Sequence, residues 1–196
     1  MKACPLRISL SAALCLISFL AISWSRAIEA WESKSNGWSI KIEESLQDVC
    51  YMTKLVANRY YLRAQFSTSS DIFQFAVGNS RWNFIEQGAL YDVSIEFGSQ
   101  SNWQGKAYGT WFEEMPAFLF YVNFDDRRAE GFITDLTHNY SLKIKFMNDI
   151  TPDIPLVDVY DAMKQLIRCQ RSMLNGSDIS QDTDVILPRG SENPFR

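Results

Sequence analysis

The chain has 196 residues, with 19 basic and 23 acidic side chains, a formal charge of −4 and one histidine. That balance argues against nucleic acid or an anionic lipid surface as the partner, since both need clustered Lys and Arg. No cofactor is expected either: a zinc site needs three or four His, Cys or acidic ligands, and one histidine beside cysteines that pair with each other does not supply them.

The first residues carry an export pattern. Lys2 and Arg7 precede Ile8–Ile22, which has no charged residue, and Ser25-Arg26-Ala27 puts small residues at −3 and −1 of a cut after Ala27. The competing reading is an uncleaved anchor, for which the 17 residues Ile8–Trp24 stand at the short limit for spanning a bilayer. Cleavage removes three bases (Lys2, Arg7 and Arg26) and no acid, taking the formal charge from −4 to −7. The expected product is periplasmic or secreted, without stable membrane insertion, and has one globular domain over residues 28–174.

Cys4 and Cys15 leave with that segment, and Cys50 and Cys169 remain. An even count in an oxidising compartment predicts a Cys50–Cys169 disulfide. The chain has no C-x-x-C motif to support a redox role instead.

Glu29–Asn36 reads as a loose lead-in. Apolar alternation then predicts strands over Trp38–Glu43, Gln47–Val56, Arg59–Phe66 and Asp71–Val77. Gly78-Asn79-Ser80 breaks the pattern, and Ser80–Gln87 is predicted as a short helical turn between an Asn79 cap and Gly88, burying Trp82 and Ile85. Leu90–Phe97 returns to strand, with Tyr91, Val93, Ile95 and Phe97 inside. Trp103–Phe112 follows, and its Trp103, Gly105, Ala107, Gly109 and Trp111 share one face, the small residues leaving room for a neighbour. Glu113–Pro116 is a loop and Ala117–Phe124 a strand. Over Arg127–Thr137 the period changes to that of a helix, weakened by Gly131. Tyr140–Phe146 is again a strand, and Asn148–Pro155 a loop or the entry to a last short strand.

Asp158–Cys169 is predicted as an amphipathic helix. Val159, Tyr160, Met163, Leu166 and Ile167 fall on one face, Asp158 stands as N-cap, and Cys169 edges the apolar stripe. Residues 175–196 are polar and acidic, the pattern of a disordered tail. The fold class is therefore α+β: a mainly antiparallel β-sheet, as sandwich or partial barrel, with short helices and a C-terminal disulfide-bearing helix.

The residues offer no catalytic constellation. His138 stands without a serine elbow or a free thiol, which suits a turn residue between helix and strand. The doublets Glu43-Glu44, Glu113-Glu114 and Asp125-Asp126 point to opposite faces wherever they lie on strands. A hydrolase would need Glu113 or Glu114 to face Asp125 across a cleft. Asp178, Asp182 and Asp184 lack the spacing and the turn glycine of a calcium loop. Trp103, Tyr108 and Trp111 are the candidates for a ligand cleft, stacking on a sugar or peptide, with core packing as the alternative.

Trp38, Cys50, Asn79-Ser-Arg-Trp82, Gly88, Tyr91–Phe97, Trp103-Gln-Gly105-Lys-Ala107-Tyr-Gly109 and Ala162-Met163 through Leu166 to Cys169 together resemble small exported two-cysteine proteins of alphaproteobacteria. The resemblance spans Trp38–Gln170 and implies a β-rich periplasmic domain with a Cys–Cys staple, without a catalytic residue to carry over. The chain departs from the pattern at Pro152 and Pro155 and in its acidic tail. The expected function is a non-enzymatic binding or accessory domain of the cell envelope, meeting another envelope protein or a small ligand. The alternatives are a small envelope-glycan or peptide hydrolase using an acidic residue, and an inhibitor or structural envelope factor.

Overall fold

The computed structural model describes residues 33–35, 37–43, 49–56, 59–67, 71–99, 101–124 and 128–175. The export segment with Cys4 and Cys15, the acids Glu44, Asp125 and Asp126, and the tail from residue 176, with Asp178, Asp182 and Asp184, lie outside the described residues.

Strands β1 (Ser33–Ser35), β2 (Trp38–Glu43), β3 (Val49–Val56), β4 (Tyr60–Phe66) and β5 (Ile72–Asn79) form a meander. After β6 (Leu90–Phe97), β7 (Ser101–Phe112) and β8 (Met115–Asn123) come helix α1 (Arg128–His138), β9 (Ser141–Phe146), β10 (Asp149–Ile150), β11 (Ile154–Pro155) and helix α2 (Val159–Asn175). All strand pairs are antiparallel, in the order β1-β2-β3-β4-β5-β8-β7-β6-β9-β10, with β11 also on β9. This is the α+β, mainly antiparallel fold that the alternation predicts.

The sheet is curled around its own aromatic side chains. Phe132 of α1 lies 5.9 Å from Phe75 on β5, 5.4 Å from Phe97 on β6 and 5.6 Å from Trp103 on β7, centroid to centroid. In a flat sheet β5 and β6 would stand about 14 Å apart, three strand spacings. Only a curved sheet lets one ring touch both, so the arrangement is a partial barrel with the helices on its concave side.

Ser80–Gln87 does not form the predicted helical turn. Trp82 N–H donates to the Asn79 carbonyl, Ile85 N–H to that of Trp82 and Ala89 N–H to that of Glu86, giving tight turns in series. Asn79 and Gly78, expected to break the strand, instead end β5. The turns drop Trp82 into the end of the barrel, where it meets Tyr60 of β4, Phe118 of β8 and Phe146 of β9 at 5.9, 5.0 and 5.3 Å. A regular helix would not follow the curve between these three strands.

Other boundaries differ for local reasons. The lead-in contains β1, paired to β2 through a turn at Gly37, whose φ is 86°. The expected Glu113–Pro116 loop shrinks to Glu113-Glu114, because Phe112 pairs with Met115. The segment 148–155 supplies β10 and β11, both on β9.

Helix α2 closes the barrel against β2 and β3. Val159, Ala162, Met163, Leu166, Ile167 and Cys169 are buried, and Cys169 is disulfide-bonded to Cys50 of β3. Beside the bridge the Cys50 N–H donates to Gln170 Oε1 at 2.9 Å. At the start of the helix the Val157 carbonyl accepts from Trp38 Nε1 and Lys54 Nζ, at 2.9 and 3.0 Å. Asp158 takes the N-cap position, and its carbonyl accepts the Ala162 N–H. Its φ of 61° is left-handed, unlike the extended backbone from which a capping carboxylate reaches the first turn. Tyr160, expected on the apolar face, is 40% exposed and packs on the His138 ring instead. Among the described residues no helix is long and apolar enough to cross a membrane.

The outer face of the sheet buries a charge. Arg63 of β4 is 8% exposed, its guanidinium lying 3.9 Å from the Tyr51 ring centroid and 4.8 Å from that of Phe112. Its Nε donates to Gln65 Oε1, and Glu43 pairs with it at 3.6 Å. Phe112 reaches Arg63 across Ala76, Gly78 and Ala117, whose small size leaves a hollow. Arg63→Ala is expected to cost about 2 kcal/mol, mostly through lost packing of the stem and the stacked rings. A urea titration would show this as a lower midpoint at unchanged slope.

Candidate functional site

Strands β7 and β8 start as a hairpin and then part. Their pairing runs from Phe112↔Met115 only to Tyr108↔Leu119. From there β8 stays with β5 as far as Asn123, while β7 stays with β6 as far as Ser101. The two long strands each need a partner along their whole length, and the curling sheet gives them different ones. A wedge opens between them, and the first turns of α1 cover it from the concave side.

The wedge holds a cavity of about 280 Å³. Val93 and Ile95 of β6, Phe120 and Val122 of β8 and Phe132 of α1 make it apolar inside. Gln104, Lys106, Tyr121, Asn123 and Arg128 supply its polar groups. A shallower groove of about 490 Å³ adjoins it, sharing Val93, Gln104, Gly105 and Lys106 and continuing to Lys145 and Met147.

Trp103 forms one wall and is held by a single face of α1. Arg128, Gly131, Phe132 and Asp135 stand at i, i+3, i+4 and i+7, the spacing of one helix side. Asp135 Oδ2 accepts the Trp103 Nε1 proton at 2.7 Å, the Phe132 ring meets the indole edge-on, and the Arg128 guanidinium lies 5.6 Å from the indole ring centroid. A Cβ at Gly131 would stand 3.2 Å from the indole Cζ2 and Cη2 atoms. The glycine that weakens the helix therefore makes room for the tryptophan.

Gly105, two residues along β7, has nothing within 4 Å of where a Cβ would stand. The missing side chain leaves the cavity open beside Val93, its cross-strand partner. Lys106 at the mouth is paired with Asp92 at 2.7 Å, and both are exposed. Burial, helped by nearby Tyr108, raises the Tyr121 phenol above its usual range, so it is neutral and polar at physiological pH.

The three candidate cleft residues are separated. Trp103 lines the cavity. Tyr108 follows it by an odd number of residues and points to the outer face, where it packs edge-on against Tyr121 at 5.4 Å. Trp111 shares the parity of Trp103 but lies eight residues away, with Nε1 donating to the Ile85 carbonyl at 3.3 Å. Both are over 40% exposed. Alternation finds Trp103 and Gly105, and the helical period places α1. The splaying of β7 from β8, and with it Phe120, Tyr121 and Arg128, rests on long-range pairing that leaves no local signal.

His138 ends α1, its Nδ1 3.0 Å from the Thr134 carbonyl and from Thr137 Oγ1. Glu113 and Glu114 are exposed on the closed turn of the β7–β8 hairpin, away from the wedge. The described lining has no carboxylate, imidazole, thiol or aliphatic hydroxyl, and no cluster of three metal-ligating side chains occurs among the described residues. Its groups are suited to holding a molecule: apolar walls, amides and two cations.

Comparison of the chain with protein-family models, with curated proteins and with solved structures found no match.

Proposed function

We propose that this chain is an exported, non-enzymatic binding domain of the cell envelope and holds a small ligand in the wedge between β7 and β8. The observation that carries the reading is the apolar cavity opened where the two strands part, with a rigid Trp103 wall and polar groups at its rim. Export is supported by the N-terminal pattern of Lys2, Arg7, the apolar run and Ser25-Arg26-Ala27. The Cys50–Cys169 bridge suits an oxidising compartment.

The test is a native mass spectrum of the protein taken from the periplasm, compared with the denatured spectrum. The native protein is expected to carry an added mass that disappears on denaturation. Gly105→Leu should lack that mass while keeping the wild-type melting temperature, because its side chain enters open space in the cavity wall. A bare wild-type protein, indistinguishable from Gly105→Leu, would overturn the binding reading. A denatured mass beginning before residue 28 would overturn cleavage at Ala27.

A further inference from the structure

Resting on that reading, we infer that the ligand is a short extended peptide, which pairs with the edge that β7 turns toward the wedge and places one large apolar side chain in the cavity. In an antiparallel strand successive residues send their N–H and C=O groups to opposite neighbours. On β7 the odd residues serve β6. The Gly109 N–H donates to the Ala89 carbonyl and the Gly109 carbonyl accepts the Gly88 N–H, and the register then runs unbroken from Tyr108↔Leu90 to Ser101↔Phe97. The even residues therefore face β8. Tyr108 meets Leu119 there, but Lys106 and Gln104 lie beyond the point where β8 departs. Among the described residues nothing pairs with their backbone on that side, and both are exposed. Unpaired strand groups beside an apolar hollow are the complement of a polypeptide backbone.

The missing side chain at Gly105 sets what the peptide carries. Gly105 stands between Gln104 and Lys106, lines the cavity and has nothing within 4 Å of where a Cβ would be. Its own N–H and carbonyl serve β6, so toward the wedge it is the kind of position at which directly opposed side chains come closest. A residue opposite it enters the space that the glycine leaves, among Val93, Trp103, Phe120 and Phe132. A cavity of about 280 Å³ stands at the lower end for small-molecule sites, which suits one such side chain. The peptide residues on either side, opposite Gln104 and Lys106, turn to the outer face and can be polar. The edge of another folded domain does not fit in the same way. It would bring its own sheet with it, and β8 on the far side of the wedge and α1 on the concave side leave room for a lone strand only.

The test is NMR of the isotope-labelled protein, freed of any adduct, alone and with the peptide acetyl-Thr-Thr-Phe-Thr-Thr-amide. In the free protein the Gln104 and Lys106 amide protons are expected to exchange at least about ten times faster than those of Trp103, Gly105 and Ala107, which face β6. Equal protection would overturn the open edge. The peptide should bind saturably and protect Gln104 and Lys106. Replacing its Phe by Ser should weaken binding at least about tenfold. N-methylation of the second or the fourth Thr, whose N–H groups face β7, should weaken it about tenfold each, while N-methylation of the Phe, whose N–H faces away, should stay within about twofold. Gln104→Pro removes one edge donor without touching a bond to β6, and should weaken binding about tenfold at an unchanged melting temperature. The methylated peptides decide the matter if that variant does not fold. Binding insensitive to methylation at all three positions would mean that the cavity takes the side chain alone, so the strand pairing falls and the binding function stands. If the peptide does not bind yet the periplasmic protein carries a native adduct, the inference falls and the binding reading survives. If nothing binds and the native protein is bare, both fall.

Discussion

Replacing Cys50 and Cys169 together by alanine is expected to lower the unfolding free energy by about 3–5 kcal/mol, the upper figure being the chain-entropy value for so long a loop. The bridge joins positions 119 residues apart, so it closes most of the described chain into one ring. Its native contribution is smaller, because α2 has other attachments to the sheet. Gln170 still accepts the Cys50 N–H, Trp38 and Lys54 still hold the Val157 carbonyl, and Met163, Leu166 and Ile167 stay buried. The loss should therefore appear mainly in the denatured state. Stopped-flow folding is expected to show refolding slowed by one or more orders of magnitude and unfolding nearly unchanged, with a steeper equilibrium urea slope from a more expanded unfolded chain. Faster unfolding with unchanged refolding would show instead that the bridge holds α2 to the native sheet. Under the export proposed above, the domain reaches full stability only after it leaves the reducing cytoplasm.

The disulfide and most strands were legible because each depends on a local rule. One buried face forces alternation, as in Tyr91, Val93, Ile95 and Phe97, and once Cys4 and Cys15 are set aside with the expected export segment, Cys50 and Cys169 have only each other to pair with. Alternation states which face a residue takes, not what lies there. Arg63 and Gln65 fall on the outer side as their pattern requires, yet both are buried: Tyr51 of β3 and Phe112 of β7 close over Arg63, and Gln65 is hydrogen-bonded to it. The same limit hid the site. Trp103, Tyr108 and Trp111 are near in sequence and apart in space, while Trp103, Phe120 and Arg128 meet only because β8 leaves β7 for β5. Of two further local signals, the fold follows one and overrides the other. Asn36-Gly37 is a hairpin signature, and β1 and β2 flank it. Ser80–Gln87 carries helix-cap chemistry, yet the need to seat Trp82 among three strands prevails over it.

Gly109→Ala is expected to destabilise the protein by about 3 kcal/mol, the upper end for forcing one carbon into a filled space. Gly109 and Gly105 lie on the same strand, face the same side and look equivalent in sequence. A Cβ at Gly109 would overlap the Glu86 carbonyl oxygen and stand 3.0 Å from both Ile85 Cγ2 and Tyr91 Cε2. None of these can yield cheaply. The Gly88 N–H donates to the Gly109 carbonyl and the Gly109 N–H to the Ala89 carbonyl, both at 2.8 Å, stitching the turn segment to β7. The Tyr91 hydroxyl is fixed between the Glu86 N–H and the Phe84 carbonyl. Relief therefore requires the 80–89 segment to move away from β7, and that movement drags Trp82 and Ile85 from the end of the barrel. Gly105→Ala, facing open space, should stay within about 0.5 kcal/mol of wild type. Parallel urea titrations of the two variants, read by tryptophan fluorescence, check the contrast. Equal stability would mean that the segment does not cross β7 as closely as described. A large loss at Gly105 would mean that the wedge is filled by protein, leaving no room for a ligand.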